Sequence, residues 1–539
     1  MGIGNIIALA GGLGLFLYGM RVMGEGLEMA AGNKLKKLLE ILTKNRFLGV
    51  IVGIVVTAII QSSSATTVMV VGFVNAGLLE LSQTIGIIMG ANIGTTVTSV
   101  LIALKLDKIA PIAVFLGAVL IMFFKNKKFQ SFGGIFIGFG MLFVGLSTMS
   151  TAMEPLQNFQ PFLDFMVSFQ NNPLLCVLIG AVVTAVIQSS SASIGILQAL
   201  ALQNLIGIRG AIFILCGQNI GTCVTALLAA VGTNKTAKRT AVIHLLFNVI
   251  GSIIFILIVL FTPFTDWISL IQGGTVAQIA ASHLLFNILA TLVMFPFAKY
   301  LASLACRIIP GEDPKREPLR LEFLDSRILM TPAIAVAQVV KEVDRMANLA
   351  RSTINLAMET IRTKDTASIE TVRNNEQVLN YLNHNITEYL VKINALELQD
   401  EDSKLTGSLF HVVNDLERIG DHAENIIENV EDCISKSIDL SDDAMNELQD
   451  ICKNALIVLD GALEMLKKQK FDKEQSVYIF NVEEIIDNQT DDCKKMHVAR
   501  LNERKCTAEA GMIFINLLAN LERVSDHATN IAYAVEDTQ

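Results

Sequence analysis

Two short runs of uncharged polar residues interrupt an otherwise apolar stretch of this 539-residue chain. Thr57-Ala58-Ile59-Ile60-Gln61-Ser62-Ser63-Ser64-Ala65 recurs 127 residues later as Thr184-Ala185-Val186-Ile187-Gln188-Ser189-Ser190-Ser191-Ala192. Four consecutive polar side chains are costly in a bilayer unless they face protein or water. The groups they carry suit two kinds of ligand. Hydroxyl, carboxamide and freed backbone oxygens suit a small hard cation such as sodium. A helix that begins at such a break turns free N–H groups and a partial positive charge toward an anion. A proton relay would want Asp, Glu or His at depth. Carboxylates are nearly absent around these runs, where Glu80 and Arg209 are the main charges and lie near segment ends.

A second pair of motifs keeps the same offset. Gly90-Ala91-Asn92-Ile93-Gly94-Thr95-Thr96-Val97-Thr98 is echoed by Gly217-Gln218-Asn219-Ile220-Gly221-Thr222-Cys223-Val224-Thr225. Two motifs sharing one offset indicate a duplicated unit. A lone Ser-Ser-Ser in a membrane segment is ordinarily a packing seam. Two such runs, each followed by an Asn-Ile-Gly-Thr run, read instead as one binding site assembled from two repeats. The candidate ligand-binding residues are Gln61, Ser62, Ser63, Ser64, Thr66, Asn92 and Thr95 from the first copy. Gln188, Ser189, Ser190, Ser191, Ser193, Asn219 and Thr222 come from the second. Thr67 faces Ile194 at the same offset, so the two halves are not chemically equal.

These residues need helices to hold them. The chain is 52% hydrophobic with a mean hydropathy of +0.52, too apolar for an ordinary soluble protein. Apolar segments fall near 3–30, 48–78, 82–104, 109–124, 131–150, 173–203, 208–231, 241–262 and 275–298. Spanning takes ~20 residues, and the first segment reads as a membrane helix, not a cleaved leader. Basic clusters at Lys34, Lys36, Lys37, Lys44 and Arg46, at Lys125, Lys127 and Lys128, and at Lys235, Lys238 and Arg239 mark cytoplasmic loops. Residues 147–172 and 262–275 hold no Lys or Arg and face out, with Lys105 and Lys108 a minor exception beside Asp107. The repeat core 48–104 thus enters from a basic flank and the core 173–231 from a barren one. The two copies must be oppositely inserted, as re-entrant or broken helices. A further echo, His244-Leu245-Leu246-Phe247-Asn248 and His283-Leu284-Leu285-Phe286-Asn287, reads as two scaffold helices packing through His and Asn hydrogen bonds.

Residues 301–330 carry Pro and charge and read as a cytoplasmic linker. From 331 the spacing of apolar residues is helical. This part is duplicated too: Leu416-Glu417-Arg418-Ile419-Gly420-Asp421-His422-Ala423 matches Leu521-Glu522-Arg523-Val524-Ser525-Asp526-His527-Ala528. Two three-helix units are expected, over 331–435 and 441–536. Glu417/Asp421, Glu483/Asp487 and Glu522/Asp526 are i,i+4 pairs that share a helix face and could ligate a hard or borderline cation. The alternative is a solvated acidic face with Arg418 or Arg523 as partner. His422 and His527 read as hydrogen-bonding core residues. The eight cysteines show no Cys-x-x-Cys spacing and read as reduced thiols.

The paired Gln-Ser-Ser-Ser runs resemble those of the type II sodium–phosphate cotransporter family, over roughly 1–300. That resemblance implies sodium-coupled transport of inorganic phosphate, with both runs lining the phosphate and sodium sites. Residues 331–536 resemble the PhoU-like phosphate-uptake regulators, whose Glu-x-x-x-Asp clusters hold metal; a divalent or ferric ion is implied. Here Glu376 is followed by Asn380 instead of Asp, which weakens the first cluster. The expected fold is all-α, a polytopic membrane transporter with two inverted repeats and a cytoplasmic helical bundle. It sits in the inner (plasma) membrane and is open to homo-oligomer formation. A sodium symporter for another small anion, or a membrane-tethered phosphate-signalling protein that does not transport, are the alternatives. The net charge of −9 argues against nucleic acid as a partner. Without a P-loop, nucleophile elbow or His-Glu-x-x-His, the sequence is not read as an enzyme.

Overall fold

The computed structural model describes residues 2–32, 45–104, 106–170, 172–313, 319–468 and 472–536. Of the basic residues used above for sidedness, Lys34, Lys36, Lys37, Lys44 and Lys105 lie outside them. The described chain is helical throughout, with no strand among these residues. It divides into two units: Met1–Pro314 with Asp325–Ile334, and Lys315–Leu324 with Ala335–Gln539. The stretch read as one linker is therefore shared between them.

In the first unit, α1 (Ile3–Ala31) is followed by α2 (Arg46–Ile60), α3 (Ser63–Ala76), α4 (Leu81–Ala103) and α5 (Ala110–Phe123). Then come α6 (Lys127–Met153), α7 (Gln160–Gln170), α8 (Pro173–Ile187), α9 (Ser190–Leu202), α10 (Ile208–Gly221) and α11 (Cys223–Ala229). The unit ends with α12 (Lys235–Phe261), α13 (Phe264–Ser269), α14 (Thr275–Met294) and α15 (Ala298–Ile308). Among the described residues six helices, with α10 and α11 taken as one, are long and apolar enough to cross a membrane.

Neither α2 nor α3 is among the six. At 15 residues α2 reaches only about 22 Å, short of the ~30 Å hydrocarbon core. Glycine contacts explain how they are held. A Cβ on Gly90 would lie 2.1 Å from the Val50 carbonyl oxygen, and one on Gly94 2.7 Å from that of Ile54. Position rises along α2 as it rises along α4, so those helices run parallel. Since α4 starts a few residues after α3 ends, α3 must bring the chain back, and α2–α3 is a re-entrant hairpin. The second copy repeats this contact for contact. Cβ atoms on Gly217 and Gly221 would meet the Val177 and Ala181 oxygens at 2.0 and 2.4 Å, making α8–α9 the matching hairpin. These glycines serve close helix packing, not ligand approach.

The inversion is visible where α1 meets α6. Gly12 lies against Gly145, Gly19 against Gly138 and Gly26 against Ser131, an antiparallel seam. Phe16 and its offset mate Phe143 are both buried there. Helices preceding the two hairpins therefore point in opposite directions, as an internal two-fold axis in the membrane plane requires. Outside this core, α12 packs on α10, α11 and α3, while α14 packs on α4 and α9. The His-x-x-x-Asn helices thus occupy mirrored places. Asn248 and Asn287 donate to the carbonyls of His244 and His283, one turn back on the same helix. Between helices, His283 Nδ1 meets Ser99 Oγ at 3.2 Å, whereas both His244 ring nitrogens are buried without a partner among the described residues.

The second unit comprises α16 (Pro332–Thr363, its first residues in unit one), α17 (Thr366–Asn394), α18 (Asp400–Ser435), α19 (Asp442–Lys468), α20 (Lys473–Asn502) and α21 (Ala508–Glu536). Each long helix carries one apolar stripe, as bundle packing demands. The two Leu-Glu-Arg helices, α18 and α21, pack on each other.

Candidate functional site

Each hairpin tip is built alike. Asn45 and Asn172, offset mates, accept hydrogen bonds from Leu48 and Leu175 N–H and so cap α2 and α8. Both helices end at a glutamine in the left-handed region, Gln61 at φ 58° and Gln188 at φ 57°. Ser62 and Ser189 then cap α3 and α9, accepting from Ala65 and Ala192 N–H. The next amides, of Ser63 and Ser64 and of Ser190 and Ser191, precede any intrahelical acceptor and are free to meet an anion. A buried staple closes each tip: Thr57 to Thr66 at 3.0 Å and Thr184 to Ser193 at 2.8 Å. Thr66 and Ser193 therefore brace the hairpins.

Beyond the tips the copies part. Gln61 Oε1 accepts from Thr98 on α4 of its own repeat at 2.8 Å, and its Nε2 donates to the Ala58 carbonyl. Thr225 is the mate of Thr98, yet its hydroxyl, which donates to the Thr222 carbonyl at 2.8 Å, also lies 3.1 Å from the Ser64 hydroxyl of the other repeat. Gln188 is exposed and its side chain has no partner among the described residues. A Cβ on Gly24 of α1 would stand 3.0 Å from the Ile60 oxygen and 3.6 Å from the Gln61 side chain.

Asn92, Thr95 and Thr222 are buried and bond back to carbonyls of their own helices. Asn219 differs: its Nδ2 is buried with no partner among the described residues. Beside it Gln218 donates to Ser193, leaving its Oε1 unpartnered. Gln198 donates to the Ser99 carbonyl of the first repeat and also leaves its Oε1 unpartnered. Orphaned buried amide groups are rare and mark places where a ligand can be met. Sequence reasoning missed Gln198, Gln218, Thr98 and Thr225 as connectors. The signal was present: Gln198 and Gln218 are amides where the first copy has Val71 and Ala91.

In the helical unit, oxygens of Glu483, Asp487 and Asp526 come within 4.8 Å of one another. Burial, then the charges of Asp487 and Asp526, hold the Glu483 carboxyl above its usual range. Burial likewise raises Asp526 against the opposing pull of Arg523. Such mutual repulsion suits a bound cation. Glu522 stands outside this group, 3.5 Å from Lys494. In the first copy Arg418 lies 3.1 Å from Asp421 and 3.8 Å from Glu417. Asn380 there donates to Glu376, and no comparable group forms among the described residues of that copy. His422 bonds Asn520 at 2.8 Å and His527 bonds Asp415 at 2.9 Å, both half-buried and not in the core as expected.

Comparison with known proteins agrees with this division. Residues 15–151 and 156–280 match the model of the Na+/Pi-cotransporter family, and residues 343–430 and 448–535 match the PhoU domain. An uncharacterized Bacillus subtilis protein, YqeW, is 33% identical over 297 residues, 55% of this chain and 96% of its own. A Salmonella typhimurium relative named as a putative inorganic phosphate export protein, YjbB, is 24% identical across 98% of this chain and 97% of its own. The rat sodium-dependent phosphate transport protein 2A is 40% identical over 98 residues, 18% of this chain and 15% of its own. The chain belongs to the Na+/Pi-cotransporter family, a membrane carrier unit followed by paired PhoU domains.

Proposed function

We propose that this chain is a sodium-coupled carrier of inorganic phosphate in the inner (plasma) membrane, with its helical unit in the cytoplasm. The observation that carries the reading is the Ser64–Thr225 bond, which joins the tip of one re-entrant hairpin to the oppositely inserted repeat. Phosphate would sit between the free amides that open α3 and α9, with Ser63, Ser64, Ser190, Ser191 and the orphaned Asn219 Nδ2 as further donors. Sodium would take the orphaned oxygens of Gln198 and Gln218 and the carbonyls freed at Gln61 and Gln188. Without carboxylates at the tips, sodium supplies the positive charge that lets a phosphate anion enter a site of low dielectric. Coupling is reversible, so the two gradients set the direction; this accommodates a relative named for export. Glu483, Asp487 and Asp526 would hold a divalent or ferric ion that screens three crowded carboxylates.

Purified protein in liposomes tests the reading. An inward sodium gradient is expected to drive labelled phosphate uptake that choline does not support and excess sulfate does not displace. Absence of sodium-driven flux would remove the carrier assignment; displacement by sulfate would change the anion.

A further inference from the structure

We infer that the turn Ser326–Met330, with Asp325, is a strap that closes one mouth of the carrier and must leave for the opposite state to form. The inference rests on the carrier reading above. The strap belongs to the membrane unit, although its flanks in sequence belong to the helical unit. It grips both repeats at once. Asn75, near the end of α3, donates to Asp325 at 2.8 Å. Arg327 Nε donates to the Ala229 carbonyl, at the end of α11, at 2.7 Å. The guanidinium also pairs with Asp325 at 2.8 Å, so one ion pair ties a helix of the first repeat to a helix of the second. Ile328 is fully buried, and a Cβ on Gly72 would touch it at 3.3 Å. A further bond joins Asn75 to the Asn234 N–H that begins α12.

Internal symmetry shows what the strap covers. The offset mates of Asn75 and Ala229 are Leu202 and Ile102. Inversion puts these at the opposite end of the unit. There they line a cavity of about 280 Å³, together with Ser147, Ser150, Thr151 and Val276. The strap thus occupies the symmetry counterpart of an open cavity. Exchange of the two repeats' dispositions moves the cavity to the strapped end. Protein cannot fill that mouth while it is open, so the strap is an autoinhibitory latch on the alternate state.

A reversible cross-link tests this on full-length protein in liposomes. In Gly72→Cys/Arg327→Cys the two Cβ atoms would stand near 3.3 Å, close to the ~3.8 Å of a disulfide. Oxidation is expected to reduce phosphate flux to that of protein-free liposomes, and dithiothreitol to restore it. Equal flux in oxidised and reduced protein would overturn the latch. Reduced protein that carries no flux would instead count against the carrier reading. The latch is then judged by maleimide labelling of Gly72→Cys, expected to quicken about tenfold when Arg327→Ala is added, the scale of population shift that a few lost hydrogen bonds produce. Unchanged labelling would refute it.

Discussion

The chain contains two duplications, and they have aged differently. In the membrane unit the copies are inverted, and the close contacts of Gly53, Gly90 and Gly94 recur at Gly180, Gly217 and Gly221. In the helical unit the copies share a Leu-Glu-Arg frame, yet the second gathers three carboxylates while the first puts Asn380 in the cluster. At those three pairs nothing larger than glycine fits, because a Cβ would stand 2.0–2.7 Å from a facing backbone oxygen. Polar side chains are freer to diverge, since each answers to its own ligand or partner. Within the membrane unit the same split appears: equal scaffolds, but Gln61 bonded and Gln188 exposed.

The sharpest way to break the comparison is through the scaffold. Gly90→Val and Gly217→Val should damage folding equally, each by about 3 kcal/mol or more, because both Cβ atoms would strike backbone oxygen. Thermal unfolding in detergent checks this, and unequal losses would mean that the hairpins are not structural equals. The glutamines should part company. Gln61→Ala loses hydrogen bonds and should lower stability by about 1 kcal/mol. Gln188→Ala should stay within about 0.5 kcal/mol of wild type. Both should cut sodium-driven flux.

In the helical unit, pH sharpens the contrast. Glu483 and Asp526 have carboxyls raised above their ordinary 4.5 and 3.8. Their protonated forms favour the folded bundle, so that contribution is complete below those ordinary values and is lost as pH rises through the raised ones. Chelated protein should therefore lose thermal stability across that rise, and an added divalent ion should return it. Asn380→Asp should add a second bound ion per chain by elemental analysis, restoring the missing carboxylate of the first copy. Glu522→Gln should have the smallest effect, with ion content unchanged, because Glu522 faces Lys494.

The repeats, their inversion and the tip residues were legible in the sequence. A fixed 127-residue offset, loop charge and Asn and Ser at cap positions are local or periodic signals. The hairpin form was not legible, since a broken span and a re-entrant pair have the same composition. It emerged from the direction of the Gly90–Val50 contact. Glu522 was placed with the metal cluster because i,i+4 spacing puts it on the face of Asp526, but spacing says nothing about the lysine across the interface. Asp325 and Arg327 looked like linker residues for the same reason: their partners lie about 250 and 98 positions away.

What the sequence determined alone is the set of available chemistry and its duplication: uncharged donors and oxygens at two helix breaks, oppositely inserted, followed by two acidic helical units. Tertiary structure decided which of two chemically equal mates is used. Thr98 and Thr225 are the same residue in the same motif, yet Thr98 meets Gln61 of its own repeat, whereas Thr225, besides bonding its own helix, reaches across to Ser64. A sequence repeat fixes what each copy can do. Both copies make the staple and cap contacts, whereas which polar partner a motif residue finds beyond the tip is a property of the packed whole.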